Sequence, residues 1–292
     1  MESPLRLGVI GIGAMGMAVA RNALDRGITV AVRDIRPEAD REAAAAGATV
    51  CASPADVGRA SDVIVVLVVD RHQVDAVLFG DDGVVRGMAP GGIVVVSSTI
   101  EPAFAESVGP RLAAAGLHHL DGAVSGGPAR ARDGTMSMMA SGADAPFARA
   151  ESLLRQLATK LFRVGTRSGD GARAKMLNNL LAGVNLSAAA EALTLGERLG
   201  LDPHAMLAVI RASSGDSWMI GDRMPHALAG DFETRAAVDI LKKDLGIVTG
   251  AARANDYPTP LADAALGVFE ATSRMGHGAE DDSAVLKFYR SR

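Results

Sequence analysis

The chain has 292 residues, of which 48% are hydrophobic, 22% charged and 3% aromatic, with a formal net charge of −4. This length points to two domains with a sizeable core, and the mildly acidic balance excludes the basic field that nucleic acid or an anionic membrane surface requires. Cys51 stands alone, which excludes an intramolecular disulfide and a thiolate zinc site; the partner expected is a small molecule, with no metal.

Taken in chain order, LRLGVI at 5–10 reads as a first strand and leads to a helix expected over 15–26. ITVAVR at 28–33 precedes a helix over 37–46, DVIVVLVV at 62–69 one over 71–78, and GIVVVSS at 92–98 one over 102–115. LHHLDGA at 117–123 and a segment at 134–140 add two further strands. Alternation of this kind is the sequence form of a parallel α/β sheet of Rossmann type, and the first four strands are apolar enough to be buried on both faces. The uncharged stretch 7–20 after Arg6, ending Ala18-Val19-Ala20, imitates a secretion signal. Glycines interrupt it at the spacing of a dinucleotide fold, however, and no uncharged apolar run approaches the ~20 residues of a membrane span, so a cytoplasmic protein is expected. Beyond about residue 165 strand-like runs give way to alanine- and leucine-rich segments of helical period. One helix is expected over 172–199, about 40 Å long at 1.5 Å per residue.

The first strand runs directly into Gly11-Ile12-Gly13-Ala14-Met15-Gly16. After a strand and before a helix, the first glycine of such a run permits a tight turn, the second lets the backbone approach a pyrophosphate, and the third allows close helix–strand packing. The phosphates then meet the helix N-terminus, where unpaired N–H groups and the positive dipole end favour an anion. Asp34 ends the second strand, 18 residues after Gly16, where a carboxylate can accept hydrogen bonds from the adenine ribose. NAD is favoured over NADP, whose 2′-phosphate that carboxylate repels, although Arg33 and Arg36 flank it and partly offset the repulsion. Residues 1–165 are thus expected to form an NAD-binding domain and 166–292 an all-helical domain for substrate and oligomerisation.

Three later segments carry candidate chemistry: DGAVSGGPARARDGTMSMMASG from Asp121, GARAKMLNNLL from Gly171 and AVDILKKDLGIV from Ala237. They resemble, respectively, the glycine-rich substrate loop, the lysine-bearing helix and the nicotinamide-closing segment of the β-hydroxyacid dehydrogenases. The resemblance covers nearly the whole chain and implies a Rossmann domain followed by an all-α domain, as in 6-phosphogluconate dehydrogenase. It implies that Ser125, Gly126 and Gly127 hold a substrate carboxylate, that Lys175 is the catalytic acid/base, and that Asn179 is its partner at the substrate. Lys243 and Asp244 would close over the nicotinamide, Lys243 also facing the substrate, with Ser98 and Thr99 beside the same ring. Helical spacing agrees, since Lys175 and Asn179 are four apart and share a face. A lysine enclosed in an apolar cleft has its charged form disfavoured, which suits it to accept the proton that alcohol oxidation releases.

Within that family, SSGDSWMIGDRM, GDFETRAAVDILKKDLGIV and GHGAEDDSAVLKFY are similar to parts of the L-threonate dehydrogenases, which act on four-carbon sugar acids. This finer resemblance implies oxidation of L-threonate to 2-oxo-tetronate, with Trp218, Ser217 and Lys287 near the distal hydroxyls. The 3-hydroxyisobutyrate and tartronate-semialdehyde branches share the same catalytic residues, so only the distal pocket separates these readings. A non-catalytic NAD-binding scaffold is the alternative of another class, and Lys175 argues against it. Ala123 stands where the family's loop usually has proline. The apolar helical half predicts a homodimer or homotetramer.

Overall fold

The computed structural model describes residues 5–292. It forms two compact units, one up to Lys175 and one from Met176 to Arg292, and the boundary falls inside a single long helix.

In the first unit, β1 (Leu7–Ile10), β2 (Val30–Arg33), β3 (Thr49–Val50), β4 (Val63–Val66), β5 (Ile93–Val96) and β6 (His118–Ser125) alternate with helices. These are α1 (Ala14–Asp25), α2 (Pro37–Ala45), α3 (Pro54–Ala60), α4 (Arg71–Phe79) and α5 (Pro102–Ala114). After β6 come α6 (Gly127–Asp133), β7 (Ser137–Gly142), α7 (Asp144–Leu157) and β8 (Lys160–Gly165). The strands form one sheet in the order β3-β2-β1-β4-β5-β6-β7-β8. The first six pair in parallel, β7 runs antiparallel to β6, and β8 is parallel to β7. The sheet is of the parallel Rossmann type expected, with a reversal at β7, because α6 is too short to carry the chain back across the sheet.

Side-chain alternation explains why the sheet is buried on both faces. Leu7, Val9, Val63, Val65, Ile93 and Val95 join one core with α1 and α7, whereas Ile10, Ile64, Val66, Val94 and Val96 join the other with α3, α4 and α5. Helix α3, not expected from the sequence, has ordinary start chemistry: the Ser53 hydroxyl accepts from the Asp56 N–H at 3.1 Å, and Pro54 occupies the first turn.

Helix α8 (Asp170–Arg198) is 29 residues long, close to the expected span. The second unit contains its C-terminal part with α9 (Pro203–Arg211), α10 (Trp218–Leu228), α11 (Val238–Arg253), α12 (Pro260–Thr272) and α13 (Val285–Arg290). Their shared core includes Leu186, Leu193, Met224, Leu245, Phe269 and Leu286. A buried polar cluster ties α10 to the segment before α13. Arg223 Nε donates to Asp282 at 2.8 Å and lies 3.9 Å from Asp281. Asp281 in turn accepts from the Arg235 N–H at 3.0 Å and the Ser283 hydroxyl at 2.6 Å. Burial, opposed by Arg223 and reinforced by Asp281, pushes the Asp282 carboxyl up to about 7.

Removing one partner of a buried ion pair leaves an uncompensated charge, so Arg223→Ala is expected to cost about 3–5 kcal/mol at pH 8. Denaturant unfolding followed by the fluorescence of Trp218, on the same helix, measures this. Between the usual aspartate range and pH 7 the folded chain holds a proton on Asp282 that the unfolded chain releases. Stability therefore falls as pH rises through that window, and Asp282→Asn should flatten the slope.

Candidate active site

Strand β1 ends at Ile10, and Gly11 turns the chain at a φ of +85°, a conformation that disfavours any side chain. Its N–H donates to the Arg33 carbonyl at 3.0 Å, pairing the turn with the end of β2. Helix α1 begins at Ala14, packed so closely that a Cβ on Gly16 would overlap the Gly11 carbonyl oxygen. A Cβ on Gly13, by contrast, would meet only the Arg36 guanidinium, at 3.8 Å. The Gly13 backbone and the first-turn amides of α1 therefore border open space, a groove of about 470 Å³ lined by Ile12, Gly13, Ala14, Met17, Arg36 and Pro128 among others. Helix N–H groups, a positive dipole end and a guanidinium around one groove suit a pyrophosphate.

Asp34, just past β2, is buried beside this groove. Arg36 supplies its backbone N–H at 3.0 Å and its Nε at 3.0 Å to Asp34 Oδ1, and Arg36 Nη2 also reaches the Ile12 carbonyl at 3.3 Å. Burial opposes ionisation of Asp34, but Arg36 and the Ile12 backbone outweigh it and hold the carboxyl below its usual range. A carboxylate ionised at neutral pH in this position accepts from ribose hydroxyls and repels a 2′-phosphate. The residues thus fit NAD.

The other sequence-identified positions of this unit fall at the carboxyl ends of parallel strands, where ligands bind in open α/β sheets. Ser98 and Thr99 follow β5; Ser98 is buried, its hydroxyl 3.5 Å from the Val66 carbonyl. The neighbouring Ser97 hydroxyl is buried without a hydrogen-bond partner among the described residues. Ser125 closes β6, Gly126 follows at φ +134°, and Gly127 opens α6 at φ +73°. Positive φ at both positions is a conformation that glycine adopts readily.

Lys175 lies on the second turn of α8 and is half-buried, and Asn179 follows one turn later, fully buried. Asn179 Nδ2 donates to Asp244 Oδ2 at 2.6 Å, Asn178 Nδ2 donates to Asn179 Oδ1 at 3.1 Å, and Lys243 Nζ stands 3.0 Å from Asp244 Oδ1. The second unit thus brings Asn179, Lys243 and Asp244 into one cluster. Trp218 opens α10 with its ring partly exposed and the Arg223 guanidinium 5.8 Å from its centroid. Ser217 caps that helix, accepting from the Ile220 N–H at 3.3 Å. Lys287 pairs with Glu280 and sits 4.1 Å over the Phe232 ring. Sequence reading assigned no role to Asp121 or Ser141, whose side chains bind the start of α8. The available signal was an aspartate flanked by Leu120 and Gly122 in the middle of a strand.

Residues 6–165 match the family described as the NAD binding domain of 6-phosphogluconate dehydrogenase. Residues 169–289 match the family described as the NAD-binding of NADP-dependent 3-hydroxyisobutyrate dehydrogenase. The chain is 49% identical over 283 residues to an L-threonate dehydrogenase of Cupriavidus necator, covering 97% of this chain and 95% of that one. It is 41% identical over 288 residues to the L-threonate dehydrogenase of Escherichia coli K12, covering 98% and 95%. A crystal structure described as 3-hydroxyisobutyrate dehydrogenase from Salmonella typhimurium superposes with a TM-score of 0.90 at 42% identity, covering 98% of this chain and all of that one.

The Asp34 carboxylate should decide between the two dinucleotides. Asp34→Ser is expected to lower kcat/KM with NAD by about 10–100-fold, the equivalent of one charge-assisted hydrogen bond, and to raise the NADP-to-NAD ratio as Arg36 is released. Initial rates with each cofactor measure this, and an unchanged ratio would remove Asp34 as the discriminating residue.

Proposed function

Since the chain belongs to the family of NAD-dependent hydroxyacid dehydrogenases that includes the 3-hydroxyisobutyrate and L-threonate enzymes, we propose that it oxidises L-threonate at C2 to 2-oxo-tetronate. The observation that carries this reading is the 49% identity to an L-threonate dehydrogenase, sustained over almost the full length of both chains.

The Gly11–Gly16 loop, the N-terminus of α1 and Asp34 would hold NAD, which when bound would supply the hydride acceptor. Backbone N–H groups at Gly126 and Gly127, with the Ser125 hydroxyl, bind the substrate carboxylate. With the C2 hydride taken by that acceptor, the amine of Lys175 would accept the hydroxyl proton as the C–O bond becomes a carbonyl, and would pass it on to solvent. Asn179 donates to the same substrate oxygen, with its amide set by Asp244. Ser98 and Thr99 are assigned to the nicotinamide end, Lys243 to the cofactor and substrate, and Trp218 to the distal hydroxyls, as the family resemblance implies.

A second reading, oxidation of 3-hydroxyisobutyrate, draws on the name given to the Salmonella structure. No helix among the described residues is long and apolar enough to cross a membrane, and the proposed location is the cytoplasm, where the nicotinamide pool is available. The proposed assembly is a homodimer or homotetramer. It rests on a line of exposed leucines, Leu177, Leu181 and Leu195 along α8 and Leu199 just beyond its end, each more than half exposed; apolar faces of this kind are ordinarily covered in an isologous contact.

Assayed against a panel of hydroxy acids with NAD, L-threonate should be turned over with a higher kcat/KM than 3-hydroxyisobutyrate, and the reverse order would select the second reading. Lys175→Met should lower kcat by about 10²–10⁴-fold, the range of general acid–base contributions, while leaving NAD binding intact by calorimetry. Light scattering at micromolar concentration should give a mass of at least two chains, and Leu181→Glu with Leu195→Glu should reduce it toward one.

A further inference from the structure

The first turn of α8 is held to the sheet by buried side chains to which the proposed reaction gives no part. Asp121 on β6 and Ser141 on β7 are 2% and 0% exposed. Ser141 Oγ donates to Asp121 Oδ2 at 2.5 Å. The same carboxylate oxygen accepts the backbone N–H of Gly169 at 2.6 Å and that of Gly171 at 3.2 Å, and the Gly171 N–H also reaches Ser141 Oγ at 2.9 Å. The first amides of a helix have no partners within it. Here the partners come from two strands of the sheet, not from a local capping residue, so satisfying the helix end also fixes where that end sits.

Steric contact reinforces the polar one. A Cβ on Gly171 would stand 2.6 Å from Asp121 Cβ and 2.8 Å from the Met139 carbonyl oxygen, so the helix backbone rests directly on the strands. His119 Nδ1 lies 2.8 Å from the hydroxyl of Ser168, the residue before Gly169, and its Nε2 lies 3.6 Å from Asp121 Oδ1. The carboxylate is therefore engaged through Oδ2, which is turned toward the positive end of the helix dipole.

We propose that Asp121 and Ser141 are positioning residues for the acid/base: they set the height and rotation of the first turn of α8 and thereby the place of the Lys175 amine. The inference rests on the reading of Lys175 as the proton acceptor. Lys175 is four residues beyond Gly171, about 6 Å along the helix axis at 1.5 Å per residue. Over one turn a helix is stiff, so a displacement at Gly171 passes to Lys175 with little loss. Misplacing a reacting group by about 1 Å can cost on the order of 10²-fold in rate.

Three variants test this: Asp121→Ala and Ser141→Ala remove the ties, and Asp121→Asn keeps an acceptor oxygen in nearly the same place without the charge. Each is assayed with NAD and L-threonate, or with 3-hydroxyisobutyrate if that is the acid turned over, alongside calorimetric NAD binding and thermal unfolding. Asp121→Ala should lower kcat about 100-fold and Ser141→Ala about tenfold, with Asp121→Asn restored to within about tenfold of the parent chain. In all three, the substrate KM and the Kd for NAD should stay within about threefold, because the groups that bind both are untouched. A purely structural role would lower Tm without singling out kcat and without rescue by asparagine. If Asp121→Ala fails to fold, Ser141→Ala and Asp121→Asn decide by the same criteria. Folded variants with a kcat like the parent's, or with the loss confined to KM or Kd, overturn the proposal. Lys175→Met run in parallel separates the two readings. An inactive Lys175→Met beside a fully active Ser141→Ala and Asp121→Ala overturns the clamp alone. An active Lys175→Met removes the acid/base reading and the clamp together.

Discussion

Helix α1 lies against the end of β1 at a distance that only glycine permits, since a side chain at Gly16 would run into the Gly11 carbonyl oxygen. Much of the first unit depends on this contact. It aims the N-terminus of α1 along the carboxyl edge of the sheet, leaves the Gly13 backbone facing an open groove, and brings that groove beside Asp34 at the end of the next strand. A larger residue at position 16 would tilt the helix away, and the amides would no longer converge on a single anion. The geometry that binds a dinucleotide is thus a consequence of packing, with electrostatics acting on what the packing has placed.

The same carboxyl edge gathers the later candidate segments because β1, β4, β5 and β6 all run in parallel. Each strand delivers its following loop to the same side, so Ser98–Thr99 and Ser125–Gly127 reach one rim from positions far apart in the chain. Antiparallel β7 then brings Ser141 opposite Asp121, where the two residues are paired across the ladder. That pairing is what places a hydroxyl and a carboxylate together at the start of α8.

The second unit solves a different problem. Its core is built chiefly from alanine, leucine and methionine around the single buried ring of Phe269, and such side chains pack in many nearly equivalent ways. Three buried acids resolve the ambiguity. Asp244 joins α11 to α8 through Asn179, while Asp281 and Asp282 join the segment before α13 to the loop preceding α11 and to α10 through Arg223. Each such tie is stabilising only in one register, because a slip of one residue leaves a carboxylate buried without a partner. Asn179, Lys243 and Asp244 hold their mutual geometry for this reason.

Local periodicity made much of the fold legible in advance. The apolar strands β1, β2, β4 and β5, the helices that follow them, and α8 were all readable, because alternation by two or by 3.6 residues is a property of neighbours in the chain. The glycine loop and Asp34 were readable for the same reason, since their meaning depends on spacing within one β-α-β unit. Helix α7 carried the signal too, with Phe147, Ala150, Leu153, Leu154 and Leu157 all buried on one face, and went unread. Strand β8 carried none, as an edge strand with hardly any buried side chain and hence no alternation. The short α6, with Ala131 as its one buried residue, was equally silent. What only the tertiary structure decided was which distant polar groups meet. Asp121 binds amides 48 and 50 residues away, Asn179 binds an acid 65 residues away, and Arg223 one 59 residues away. Sequence spacing determines which way a side chain points from its own helix or strand. The partner it finds there depends on how the elements pack, and on the cost of leaving any buried charge unpaired.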